Sequence, residues 1–271
     1  MEKSLELFAE NGFEATSVQQ ITERCGISKG AFYLYFKSKD ELINSLIDQF
    51  MTGIITDIEQ SVSSTEKCEE LLYNFLTISL GEFQQQSNFA KFFMTEQVLS
   101  YNKDLFERMQ NYMNMFNRIL FSIVKRQFAA TNPNMYLDLV FTINGFVKSY
   151  SEIFLMGDYE VDLDTLCKSI VEKVTLVAER ATIQVLTPEY LSYINQNSNF
   201  SKEQLIELIT TLLQEIRGNA IVEESLQLLK EHLQDPKLSR VLLEGLLKNI
   251  KEYDQCRWCA YLYRQYLQNQ D

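Results

Sequence analysis

The first forty residues are punctuated at short intervals, and that punctuation limits the fold more than any other feature of the chain. Leu5, Phe8 and Ala9 recur at helical spacing until Gly12, which stands where a residue ending a helix would. Thr16 or Ser17 then offers an N-cap for a short helix through Arg24, with Val18 and Ile21 facing inward, and Gly26 breaks it. Ser28 caps a second short helix that runs through Ala31 to about Tyr35. Ser38 caps a long one, whose first turn carries Asp40 and Glu41, as the helix dipole favours. Two short helices joined by a tight glycine turn, with a helix on either side, make a helix-turn-helix unit. Glycine suits the turn because a positive φ costs it nothing. That spacing alone is a weak signal of DNA binding.

The rest of the chain reads as helix throughout. Only 9 glycines and 3 prolines occur in 271 residues, too few for the turns of a sandwich or a doubly wound sheet. Apolar stripes predict helices over 71–80, 89–99, 102–128, 134–156 and 162–184, with a turn at 157–160 between the last two. Those two are apolar on more than one face (Leu139, Phe141, Ile143 and Phe146, then Ile170, Val171, Val174 and Val177), which predicts burial inside a dimer. After Thr187-Pro188 and the polar loop 195–199, Leu205, Ile209, Leu212 and Ile216 trace another stripe, followed by three more helices. The fold class is all-α. The expected domains are a three-helix DNA-binding head over 1–46, a helical effector-binding and dimerisation domain over 47–184, and an additional helical extension over 185–271.

Charge is segregated. The formal net charge is −12, yet four of the five bases in the first fifty residues (Arg24, Lys29, Lys37 and Lys39) fall in one window. No acid lies between Ile27 and Lys39. Several function classes find no residues to carry them. No phosphate loop, metal-ligand cluster or nucleophile beside a base is present, and the single histidine, His232, reads as a surface residue, so neither an enzyme nor a metal or other cofactor is expected. Cys256 and Cys259 have a spacing known from zinc and redox sites, but a second pair of ligands is missing; two thiols on one helix face is the reading that remains. No apolar run reaches membrane-spanning length, and the scattered cysteines fit a reduced, cytoplasmic setting.

The run LELFAENGFEATSVQQITERCGISKGAFYLYFKSKDEL, from Leu5 to Leu42, resembles the DNA-binding domain of the TetR family of bacterial transcriptional repressors. The likeness rests on Leu7-Phe8, Gly12-Phe13, Thr16-Ser17-Val18, Ile21, Cys25 to Gly30, Tyr33-x-Tyr35-Phe36 and Lys37-Ser38-Lys39-x-x-Leu42. Beyond residue 42 it rests on layout alone, and the extension exceeds the family plan. Met1 lands where the family's first helix is already running, which implies a shortened front end without a basic arm. The resemblance implies an operator-binding homodimer released by a small molecule. The small residues Ser28, Gly30 and Ala31 would let the second helix approach the major groove, and Lys29 would reach a guanine edge or a phosphate. Tyr33 is assigned to bases or phosphates, and Tyr35, Ser17, Lys37 and Lys39 to the backbone. Phe32 and Phe36 have the spacing of an inward pair. Phe92, Tyr112 and Phe116 are the candidate effector contacts, suited to a lipophilic ligand, although aromatic stripes are more often core. The alternatives are an activator using the same head, or a helical protein-interaction module without an effector.

Overall fold

The structure is a computed structural model that describes residues 2–85, 103–155, 160–187, 189–190, 201–216 and 218–268. The expected helix 89–99, with Phe92, the greater part of the turn 157–160 and the polar loop 195–199 lie outside the described residues. Among the described residues there are twelve α-helices and no strands. They are α1 (Glu2–Asn11), α2 (Val18–Cys25), α3 (Lys29–Tyr35), α4 (Lys39–Ser64), α5 (Leu71–Gln85) and α6 (Lys103–Gln127). Then come α7 (Tyr136–Ser151), α8 (Leu163–Arg180), α9 (Lys202–Glu215), α10 (Ala220–Gln234), α11 (Arg240–Lys251) and α12 (Arg257–Gln268).

The caps fall where the serines and glycines of the head place them. Ser17, not Thr16, caps α2, in a reciprocal box with Gln20. Thr16 turns inward instead, its hydroxyl donating to the Gly12 carbonyl at 2.7 Å. Gly26 closes α2 at φ 70°, a left-handed conformation that an ordinary side chain rarely takes. Ser28 and Ser38 cap α3 and α4 by accepting from the Ala31 and Glu41 amides. Phe8, Phe13, Ile21, Phe32 and Ile43 are buried in the head, and the Phe8 and Phe13 rings meet at 5.3 Å.

α4 runs 26 residues without a break, so the head and the helical body share one helix through residues 46 and 47. Residues 1–197 form one compact unit. Within it α5 packs on α4, α6, α7 and α8, and its Leu71, Leu72, Phe75, Leu76 and Leu80 are all buried. A helix with four helical neighbours needs a wide apolar face, which is why this stripe is so wide. α6 runs parallel to α4 and holds it at two places. Arg108 and Tyr112 reach Asp48, and Arg126 donates to the Val62 and Thr65 carbonyls, which belong to the end of α4.

Two boundaries differ from the sequence pattern. α7 stops at Ser151 and gives way to a 3₁₀ turn, Glu152–Leu155. α8 ends at Arg180 rather than near 184, because the next segment is drawn out along α7: the Val185 and Leu186 amides donate to the Asp138 carboxylate. The Phe141 ring also meets Tyr190 edge to face at 5.2 Å. A carboxylate from a distant helix supplies the acceptors that a further helical turn would have supplied.

Residues 198–271 form the second compact unit. α9, α10, α11 and α12 pack in sequence and α12 returns onto α9, closing a four-helix core around Leu205, Leu226, Leu229, Leu247 and Leu262. Cys256 and Cys259 are buried in it, and burial pushes the Cys256 thiol up to about 11, so neither is poised as a thiolate. The Tyr263 hydroxyl, buried, donates to the Leu229 carbonyl at 3.0 Å. His232 is half-buried rather than a plain surface residue. Its Nδ1 accepts from the Lys237 and Leu238 amides at 3.2 and 3.1 Å, fastening the turn into α11.

Candidate nucleic-acid interface

α3 is seven residues long and turns one side chain fully into the head. Phe32 is 2% exposed, with the Phe36 ring at 5.7 Å and the Tyr33 ring edge-on at 5.3 Å. At about 100° per residue the opposite pole of the helix belongs to Gly30 and Leu34. Tyr33, Leu34 and Tyr35 are 54%, 83% and 79% exposed. Ser28, Lys29 and Gly30 are exposed as well and Ala31 is half-exposed. A Cβ added at Gly30 would meet only the Ser28 Oγ, at 3.7 Å, so the face above it is open. Six of the expected contact residues (Ser28, Lys29, Gly30, Ala31, Tyr33 and Tyr35) thus stand together on and around one short helix.

The flanking residues do different things. Lys29 Nζ lies 3.3 Å from Gln19 Oε1, joining the exposed sides of α2 and α3. The Ser17 hydroxyl is exposed but engaged with Gln20, both as cap and as donor. Lys37 is exposed, and its backbone amide donates to the Glu41 carboxylate. Lys39 is turned inward. Its ammonium donates to the Phe13 carbonyl at 2.5 Å and stands 4.2 Å from the centre of the Phe13 ring. Arg24, the remaining base of the window, is paired with Glu10 at 3.0 Å and Glu6 at 3.8 Å. The basic window therefore holds lysines of two kinds, Lys29 and Lys37 pointing outward and Lys39 tying the α1–α2 loop to the start of α4.

The residues expected to touch an effector are packing residues where they are described. Tyr112 is buried, and its hydroxyl donates to Asp48 Oδ1 at 2.7 Å while Arg108 donates to Oδ2 at 2.7 Å. Burial, then the neighbouring Asp48 charge, pushes the Tyr112 phenol well above its ordinary value. The half-buried Phe116 ring meets Phe75 edge to face at 6.4 Å. Two features escape the sequence pattern. Asp48 is separated from its partners by 60 and 64 residues, and only the one-turn spacing of Arg108 and Tyr112 hints at a shared acceptor. Leu34 reads as an ordinary helical leucine until Phe32 fixes which pole is inward.

Two short capped helices joined by a glycine turn, with a helix on either side, define a helix-turn-helix unit. Residues 1–46 match the family model of bacterial regulatory proteins, tetR family. The chain is 25% identical over 255 residues to the HTH-type transcriptional regulator YerO of Bacillus subtilis (strain 168), covering 91% of this chain and 86% of that one. It is 22% identical over 178 residues to the fatty acid metabolism regulator protein of the same organism, covering 64% of this chain and 90% of that one. A crystal structure of a transcriptional regulator from Aquifex aeolicus VF5 superposes with a TM-score of 0.51 at 28% identity, covering 65% of this chain and 95% of that one. Residues 1–46 are thus a domain of the tetR family, and the proteins that align with the chain over most of its length are transcriptional regulators. No helix of the described residues is long and apolar enough to cross a membrane.

Proposed function

We propose that the chain is a repressor that holds its operator as a homodimer and is released by a small lipophilic effector. The observation that carries this reading is the face of α3: exposed, free of acids, and open over Gly30. In a helix-turn-helix the second helix enters the major groove, and paired heads bind half-sites about one helical turn apart, roughly 34 Å. Lys29, Ser28, Gly30, Ala31 and Tyr33 are assigned to the groove, and Tyr35, Ser17 and Lys37 to the phosphates that flank it. Lys39 contributes by holding the loop before α2 in place, so that Ser17 and α3 keep their relative positions.

Support for two copies comes from α7 and α8. Phe141 and Leu176 are large, apolar and exposed, and nothing lies within 4 Å of a Cβ added at Gly145, one turn from Phe141. Pairing of these helices would give the apolar surface a partner. The remaining acidity, 20 bases against 29 acids after residue 50, would keep the body off DNA. Similarity to a fatty acid metabolism regulator supports an apolar effector bound in the body. Such a ligand acts only to the extent that it prefers the form unable to bind DNA.

Binding of the full chain to DNA from beside its own coding region tests the reading, followed by fluorescence anisotropy across a salt series. The expected result is retention of one discrete fragment as a dimer, with a salt slope that falls by about 1 per engaged copy in Lys29→Ala if Lys29 meets a phosphate, or with affinity lost at one base pair if it meets a guanine. Absence of any fragment bound at low salt would leave the helical interaction module as the better reading. Increased transcription from the bound promoter in the presence of the protein would identify an activator.

A further inference from the structure

Leu34 is, at 83%, the most exposed large apolar side chain among the described residues, and it sits at the pole of α3 opposite Phe32. At that exposure the leucine touches little of the head, so the fold gains little from its bulk. Gly30 lies one turn before it, and its missing side chain leaves that pole open, so Leu34 is the bulkiest projection at the point where the helix would go deepest. We propose, on the reading of α3 as the recognition helix, that Leu34 is a sequence-reading residue that packs against the C5-methyl group of a thymine in each operator half-site.

The chemistry leaves few choices. A leucine carries no hydrogen-bond donor or acceptor, so it discriminates only by apolar contact. On the major-groove edges of the four bases the one apolar group is the thymine methyl; the others present acceptors and amino groups. Opposite a guanine or cytosine edge, an isobutyl group would strip water from polar atoms without replacing its hydrogen bonds, which penalises those bases. Tyr33 and Lys29 lie one turn apart on one flank of this pole and supply the polar contacts that fix depth and register. Leu34 then selects at one position, by attraction to a methyl and by exclusion of its alternatives.

The test uses the full chain and the duplex fragment it retains, with each thymine replaced in turn by deoxyuridine, which deletes the C5-methyl and nothing else. Wild-type protein is expected to lose about fourfold in affinity per half-site at one symmetry-related pair of thymines, the effect of one buried methyl-sized group. Leu34→Ala is expected to bind the thymine and uracil duplexes equally at that pair. Because Leu34 is almost wholly exposed, the variant should unfold at the wild-type temperature, which separates reading from folding. Equal uracil sensitivity in wild type and Leu34→Ala, or none in either, overturns the assignment while leaving α3 as the recognition helix. Failure of the wild-type chain to retain any fragment overturns that earlier reading and this one together.

Discussion

Asp48 joins the helix that leaves the DNA-binding head to the helix that lies beside it, and a double-mutant cycle should show how firmly. Its two carboxylate oxygens each accept one bond at 2.7 Å, from the buried Tyr112 hydroxyl and from the Arg108 guanidinium. Tyr112→Phe removes one hydrogen bond to a charged acceptor but leaves the carboxylate its arginine and some water, so a cost of about 1–2 kcal/mol is expected. Asp48→Ala deprives the phenol of this acceptor, about 1–3 kcal/mol, and adds the loss of a half-exposed ion pair, at most about 1 kcal/mol. The double variant should cost little more than Asp48→Ala alone, because each substitution deletes the same bond; the coupling should be about 1 kcal/mol or more. Urea unfolding of the full chain provides an internal control. The only tryptophan, Trp258, lies in α12 of the other compact unit, so its fluorescence follows that unit. The destabilisation should appear in the far-ultraviolet circular dichroism transition of the first unit and leave the tryptophan transition in place. Strict additivity of the two substitutions would refute the shared bond, and a shift confined to the tryptophan signal would refute its location.

Gly30→Ala should separate folding from binding. A Cβ there meets only an ordinary contact at 3.7 Å, and alanine favours helix, so stability should hold or rise by up to about 1 kcal/mol while operator affinity, read by anisotropy, falls about tenfold. Lys39→Ala should lower the melting temperature, since the Phe13 carbonyl keeps only its longer bond from the Thr16 amide, and should leave the salt slope of DNA binding unchanged; a slope reduced with no thermal effect would make Lys39 a phosphate contact instead. Burial lowers the His232 pKa below its ordinary value, so the folded chain resists a proton that the unfolded chain accepts. The resulting stability is complete above about pH 6.5, falls as pH drops below that value, and is gone once pH passes the lowered folded pKa. Urea titrations followed by Trp258 fluorescence between pH 8 and pH 5 should show this slope, and His232→Gln should flatten it.

What was legible in the sequence was local. Ser17, Ser28 and Ser38 cap helices whether or not anything packs on them, because a side-chain oxygen three residues from an orphan amide completes the bond within one turn. Gly26 likewise ends α2 by its own backbone conformation. The six residues on and around α3 are gathered with the help of the family resemblance, and the buried Phe32 fixes the phase of the two-turn helix that carries most of them. What was hidden depends on distant partners. The end of α8 is set by Asp138, 42 residues before Arg180, and no periodicity within 162–184 registers an acceptor on another helix. Tyr112 has the look of a pocket residue in a list of aromatics, and only Asp48 across the α4–α6 contact shows that its hydroxyl is in use.

Lys39 shows why charge in a window is a weaker guide than geometry. The segment from Ile27 to Lys39 carries three lysines and no acid, and the sequence reading sends Lys29 to a guanine edge or a phosphate and both Lys37 and Lys39 to the backbone. Their surroundings divide them. An ammonium that donates to a backbone carbonyl and stands over an aromatic ring has replaced part of its water shell with fixed partners, and moving it to a phosphate would give those up. Lys37 has its side chain in solvent, so a DNA phosphate would replace only water and released counterions. Arg24 is further removed from DNA by its two carboxylates on α1. On the proposed reading of α3, the net attraction of the head for DNA therefore rests on fewer charges than the window contains.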